Sequence, residues 1–173
     1  MPDQPIRVLL VEDNPMDVLL IRETLAEVDS ARFSLTVAQR LAEGLRLLRE
    51  LPFDVVLLDL GLPDSQGLET FLKIRAEQPG FPVVVLTGLA DDKFALKAVQ
   101  EGAQDYLVKG RTGDGVLARA IRYAIERKRA EADLAAKNEE LRAMTQQLWQ
   151  TAKLATMGEL AASVAHELNN PLA

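Results

Sequence analysis

Cysteine is absent from the 173 residues, which excludes disulfides and thiolate metal sites. Histidine occurs once, at His166. Aromatic residues make up only 5% against 48% apolar residues in all, so the core has to be aliphatic. The opening stretch MPDQPIRVLLVEDNP has no basic segment and no long apolar run, so it does not read as a signal peptide. No apolar run approaches the roughly 20 residues that a membrane-spanning helix needs. A cytoplasmic protein without a membrane segment is the expectation. Positive charge is in deficit, with a formal net charge of -6. An acidic surface repels phosphates, and no nucleic-acid reader motif is present, so nucleic acid is not an expected partner. Neither GxxxxGK[ST] nor GxGxxG occurs, and no internal repeat or low-complexity tract is found.

What is present is an alternation of two periods. Short aliphatic runs occur at Ile6–Val11, Phe33–Ala38, Asp54–Leu60, Phe81–Thr87 and Asp105–Val108. They are β-branched and nearly continuous, as strands buried on both faces of a parallel sheet should be. Helical patterns separate them at Met16–Glu27, Leu41–Leu51, Leu68–Glu77, Asp92–Gln100 and from Asp114 onward. In the first, Val18, Leu19, Ile21, Leu25 and Val28 form an apolar stripe. Five βα units predict a doubly wound, flavodoxin-like α/β fold with a five-stranded parallel sheet in the order 2-1-3-4-5. Ligands in such sheets bind beyond the carboxyl ends of the strands.

That rule places a set of polar residues together. Glu12 and Asp13 follow the first strand, Asp59 ends the third, Thr87 ends the fourth and Lys109 follows the fifth. Each acid alone would serve as an ordinary helix cap, as Asp13 or Asn14 before Pro15 would, and as Asp64 and Ser65 are expected to do. Their joint occurrence at strand ends, in order, points to one cleft. Three converging carboxylates repel one another and call for a hard divalent cation with oxygen ligands, such as Mg²⁺. A carboxylate beside Mg²⁺ can attack a phosphoryl group to give an aspartyl phosphate, with the metal and a lysine offsetting the transferred charge.

The stretches VLLVEDNP, DVVLLDLGLPDSQGLE, PVVVLTG and GAQDYLVKG resemble the receiver domain of two-component response regulators, over residues 5 to about 125. The resemblance implies that Asp59 is the phosphoacceptor and that Asp13 ligates Mg²⁺. Glu12 would act in the metal shell, and the Gly61 backbone carbonyl would complete the protein's share. Lys109 would contact the phosphoryl group. Thr87 and Tyr106 would form a two-part switch, and the donor would be a phosphohistidine on a partner. Two positions depart from the family pattern. Gly110 stands where many receivers have a cis proline, and Gly61 offers no side chain to steer an attacking water.

From Val116 to Met157 there is no Gly or Pro. Leu134, Leu141, Leu148 and Ala155 recur every seven residues, with the weaker Lys137, Met144 and Thr151 as companions. A long two-stranded coiled coil is expected, with a solvated single helix as the alternative. In the last twenty residues, Met157, Leu160, Ala161, Val164 and Leu168 form a stripe. His166 lies roughly 200° around the helix from Val164 and points to water. Pro171 would kink the helix. The stretch HELNNPL resembles the H-box of sensor histidine kinases. That resemblance implies that His166 accepts phosphate from ATP, with Glu167 as general base and Asn170 positioning water. The return helix and the ATP-binding domain of that family have no counterpart here.

The expected organisation is a receiver over 1–125, a helical coiled-coil linker over 126–153 and a truncated phosphoacceptor helix over 154–173. The expected function is Mg²⁺-dependent phosphoryl transfer to Asp59 within a hybrid sensor histidine kinase. The phosphodonor would be a separate protein or the chain's own kinase core, where ATP would bind, and the chain would be a homodimer through its terminal helix. Two alternatives stay open. One is a stand-alone receiver acting as a dimeric scaffold. The other is an aspartyl-nucleophile phosphatase of the haloacid-dehalogenase kind, which normally needs a second acid where Gly61 stands.

Overall fold

The computed structural model describes residues 4–28, 32–88, 92–110 and 115–169. In chain order they form β1 (Ile6–Val11), α1 (Pro15–Ala26), β2 (Phe33–Ala38), α2 (Leu41–Glu50), β3 (Val55–Asp59), α3 (Leu68–Glu77), β4 (Val83–Thr87), α4 (Asp92–Gln100), β5 (Asp105–Val108) and α5 (Val116–Leu168). Between β3 and α3, Gly61–Leu62 pairs antiparallel with Ser65–Gln66 in a minimal hairpin. The five main strands are all parallel in the order β2-β1-β3-β4-β5, so the expected doubly wound fold forms.

Alternation along the strands splits the core in two. Leu9, Val11, Val56, Leu58 and Val85 face one side, where Leu41 and Leu48 of α2, Phe71 and Ile74 of α3 and Ala95 and Ala98 of α4 cover them. Val8, Leu10, Val55, Leu57, Val84 and Leu86 face the other, under Ile21 and Leu25 of α1 and Leu117, Ile121 and Ile125 of α5. Burial on both faces is why the strands read as continuous apolar runs rather than alternating ones. Complete burial of each such side chain contributes about 1.5–3 kcal/mol.

Several element ends differ from the expectation. β3 and β4 are shorter than their apolar runs. The Asp54 carboxylate is taken up by the Arg7 guanidinium, and the Leu60 carbonyl turns to accept from the Gly67 amide at 2.8 Å. Phe81 is drawn into a turn, its amide donating to the Gln78 carbonyl. α1 begins at Pro15 because the Asn14 side chain caps it, accepting from the Met16 amide at 2.9 Å. Leu19 does not join the α1 stripe but is 47% exposed, and Ile21 and Leu25 carry the contact. Asp64 caps a helix, but α2 rather than the one that follows it: its two oxygens accept from the Leu41 and Ala42 amides at 2.9 and 3.0 Å. Ser65 caps nothing and is buried, accepting from the Thr70 hydroxyl at 3.0 Å. Asp114 lies outside the described residues.

The chain divides into two compact units, Met1–Arg129 and Ala130–Ala173. In the second, every described residue is helical or in the final turn, and all are exposed. Among the described residues no helix is long and apolar enough to cross a membrane.

Candidate functional site

The parallel sheet aligns the ends of β1, β3, β4 and β5, and the expected residues meet there. Val11 pairs with Leu58 and Asp59 with Leu86, so the residues just past β1 lie beside the end of β3. Glu12, Asp13 and Asp59 each present a carboxylate oxygen within 4.8 Å of the others. Glu12 is completely buried and Asp59 is 8% exposed, whereas Asp13 faces solvent. On the far side Thr87 pairs with Val108, and the Lys109 amide donates to the Thr87 carbonyl at 2.8 Å.

Lys109 reaches back across the cleft. Its Nζ stands 2.6 Å from Glu12 Oε2, 3.0 Å from Asp59 Oδ2 and 3.1 Å from Asp17 Oδ2. Asp17, in the first turn of α1, was not singled out from the sequence. From the sequence it reads as an ordinary acid in the first turn of a helix, and no spacing sets it apart. Three carboxylates thus share one ammonium, Asp13 adds a fourth acid beside two of them, and negative charge remains in excess.

Glu12 feels this most. Burial pushes its carboxyl above the usual range, and the repulsion of Asp59 adds to that against the opposing pull of Lys109. Its Oε1 accepts from the Asn14 amide at 3.1 Å. Its Oε2 lies 2.6 Å from the Lys109 ammonium and is held by that charge, but accepts no well-aligned hydrogen bond. Burial alone would lower the Lys109 ammonium; the neighbouring Glu12 and Asp59 carboxylates more than offset this and hold it above its ordinary value.

The remaining residues sit nearby or apart. A Cβ at Gly61 would lie 3.7 Å from Asp59 Oδ2, so its backbone flanks the carboxylate. Thr87 is buried, and its hydroxyl donates to the Gly88 carbonyl at 3.1 Å. Tyr106 is half-buried against the core beneath α2, α3 and α4. Among the described residues no peptide bond is cis. Gly110 has φ 77°, a left-handed value that a proline ring, fixed near −65°, cannot take. His166 and Glu167 lie in the second unit and are exposed, while Asn170 and Pro171 fall outside the described residues.

A five-stranded parallel sheet carrying buried acids, a hydroxyl and a lysine at its carboxyl edge defines the signal-receiver class of α/β domain. The family described as the response regulator receiver domain matches residues 8–122, and the chain belongs to it. It is 35% identical over 128 residues to the transcriptional regulatory protein GlrR of Escherichia coli (strain K12), covering 73% of this chain and 28% of that protein. It is 32% identical over 123 residues to the acid tolerance regulatory protein ActR of Rhizobium meliloti (strain 1021), covering 71% and 62%. The crystal structure of a response regulator receiver domain protein from Clostridium thermocellum aligns with TM-score 0.62 and 32% identity, over 72% of this chain and 98% of that one. A fusion bearing the yeast Spc42 trimeric coiled coil aligns over 89% of this chain at 19% identity with TM-score 0.65, a likeness of fold alone. The chain spans less than two thirds of the length of these curated relatives. The family match, over residues 8–122, ends short of His166, and GlrR is named a transcriptional regulatory protein.

Proposed function

We propose that Asp59 accepts a phosphoryl group from a phosphohistidine, in a reaction that needs Mg²⁺. The observation that carries this is a nearly buried Asp59 with the Lys109 ammonium at 3.0 Å and two further acids within 4.8 Å. An Asp59 oxygen attacks phosphorus, the P–N bond breaks, and the imidazole leaves and takes its proton from solvent. The donor set suits a hard cation: it is all oxygen, and Glu12 Oε2 is buried without an aligned donor. Glu12, Asp13, Asp59 and the Gly61 carbonyl would hold Mg²⁺, which when bound neutralises the acids and the phosphoryl oxygens. Lys109 offsets charge on the transferring group. Thr87 then gives up its bond to Gly88 for a phosphoryl oxygen, and Tyr106 moves inward.

The receiver over 1–125 is read as regulating a histidine kinase core through the linker over 126–153 and the phosphoacceptor helix over 154–173. In that helix His166 would take phosphate from ATP bound in the kinase core, with Glu167 as base and Asn170 placing water. The exposed apolar residues of the second unit support a homodimer. A second reading, favoured by the similarity to the transcriptional regulatory protein GlrR, makes a DNA-binding segment the output.

Acetyl phosphate with Mg²⁺ tests the first step. The expected result is a mass gain of one phosphoryl group, absent without Mg²⁺ and absent in Asp59→Asn. An equal gain in Asp59→Asn refutes the assignment. Phosphorylation-dependent retention of DNA in a gel would favour the second reading.

A further inference from the structure

The second unit carries two apolar stripes. Leu134, Leu141, Met144 and Leu148 form the first, each between 56 and 65% exposed. Leu154, Met157, Leu160, Val164 and Leu168 form the second, with exposures of 54–81%. At about 100° per residue, and measured from Leu134, the first is centred at about −40° and the second at about 140°. They occupy opposite faces. Underwinding to about 3.5 residues per turn, as a two-stranded coil does, still leaves about 130° between them. One partner helix cannot cover both.

The first stripe fits a second copy of the same helix. Its leucines recur every seven residues, so a parallel, in-register copy sets each against its counterpart. The flanking pairs across such a dimer are Asp133 with Asn138, Glu140 with Thr145 and Gln147 with Ala152, none of like charge. An antiparallel pair centred on Leu141 would set the two Glu140 carboxylates side by side. Beyond Trp149 the seven-residue register continues into Thr151, Ala155 and Gly158, which offer little to bury.

Resting on the dimer reading above, we infer that a second copy docks in parallel on the stripe from Leu134 to Leu148. This seam ends at Trp149, and the Leu154–Leu168 stripe lies outside it. His166 is eighteen residues past Leu148, about five turns, and so stands on the first stripe's side of an unsupercoiled helix. Closing the dimer on the first stripe turns His166 toward the partner copy, and closing it on the second would turn it outward. The stripe that two copies share therefore sets access to the imidazole.

The absence of cysteine makes the test direct, since each introduced thiol is the sole one. Leu141→Cys, Leu148→Cys, Ala161→Cys and Val164→Cys are oxidised in the full chain, with mass followed by sedimentation. The expected result is a dimer in which Leu141→Cys and Leu148→Cys crosslink at least tenfold faster than the other two. A dimer in which Ala161→Cys or Val164→Cys crosslinks as fast overturns the seam while leaving the dimer reading intact. A monomer or trimer mass overturns both. As a second readout, Leu141→Glu should weaken the dimer at least tenfold and Val164→Glu should not; the reverse order also sinks the inference.

Discussion

Replacing Lys109 with methionine keeps most of the stem volume and removes the charge that three carboxylates share. Nζ stands within 3.1 Å of Glu12, Asp59 and Asp17, and Glu12 is fully buried. Breaking a buried ion pair by deleting one partner costs about 3–5 kcal/mol. The Lys109 side chain is 20% exposed and that of Asp17 is 26% exposed, so water recovers part of this, and a loss of about 2–3 kcal/mol is expected. For a domain of this size that moves the urea midpoint down by about 1–2 M. The loss should shrink as pH falls into the carboxylate range. Without Lys109, burial and Asp59 raise the Glu12 carboxyl further, so it takes up a proton in the folded state before it does when unfolded. Stability of the variant then rises as pH falls. Urea titration by circular dichroism in chelator, at neutral pH and near pH 5, is the assay. A variant as stable as the parent, or a loss that does not depend on pH, would refute the view that Lys109 neutralises this cluster.

Gly67 has φ 65° and ψ −150°, backbone that glycine alone adopts readily, so Gly67→Ala should cost about 1–3 kcal/mol and is checked by the same titration. Asp64→Ala removes both oxygens that cap α2 and should cost about 1 kcal/mol, with faster amide exchange at Leu41 and Ala42 as the local sign. The Arg7 guanidinium hydrogen bond holds the Asp54 carboxyl below the ordinary value of 3.8. The stability it contributes is therefore complete above that value and lost as pH falls through the folded-state one. Asp54→Asn should be less stable than the parent at neutral pH and converge with it in acid; a gap that stays constant with pH would contradict this.

Much of the fold was legible because two-sided burial leaves a plain mark. The aliphatic runs of β1, β3 and β4 had to be parallel interior strands, and the acids at their ends had to share an edge. Asp17 was not legible, because only the reach of Lys109 from β5 across the sheet brings it into the cluster. Asp64 misled for the same reason: a capping carboxylate does not announce whether it serves the next helix or one more than twenty residues earlier. Leu19 misled because helical spacing marks a stripe without fixing where its edge meets the sheet.

Local chemistry lies in the sequence itself: the period of burial, the strand ends, the absence of thiols and the two phases of apolar residues in the terminal helix. Tertiary structure alone decided which carboxylates share one ammonium, which of them loses water, and which oxygen is left without an aligned donor. Charge interactions fall off with distance through space and strengthen with burial. Neither quantity is written in the order of residues.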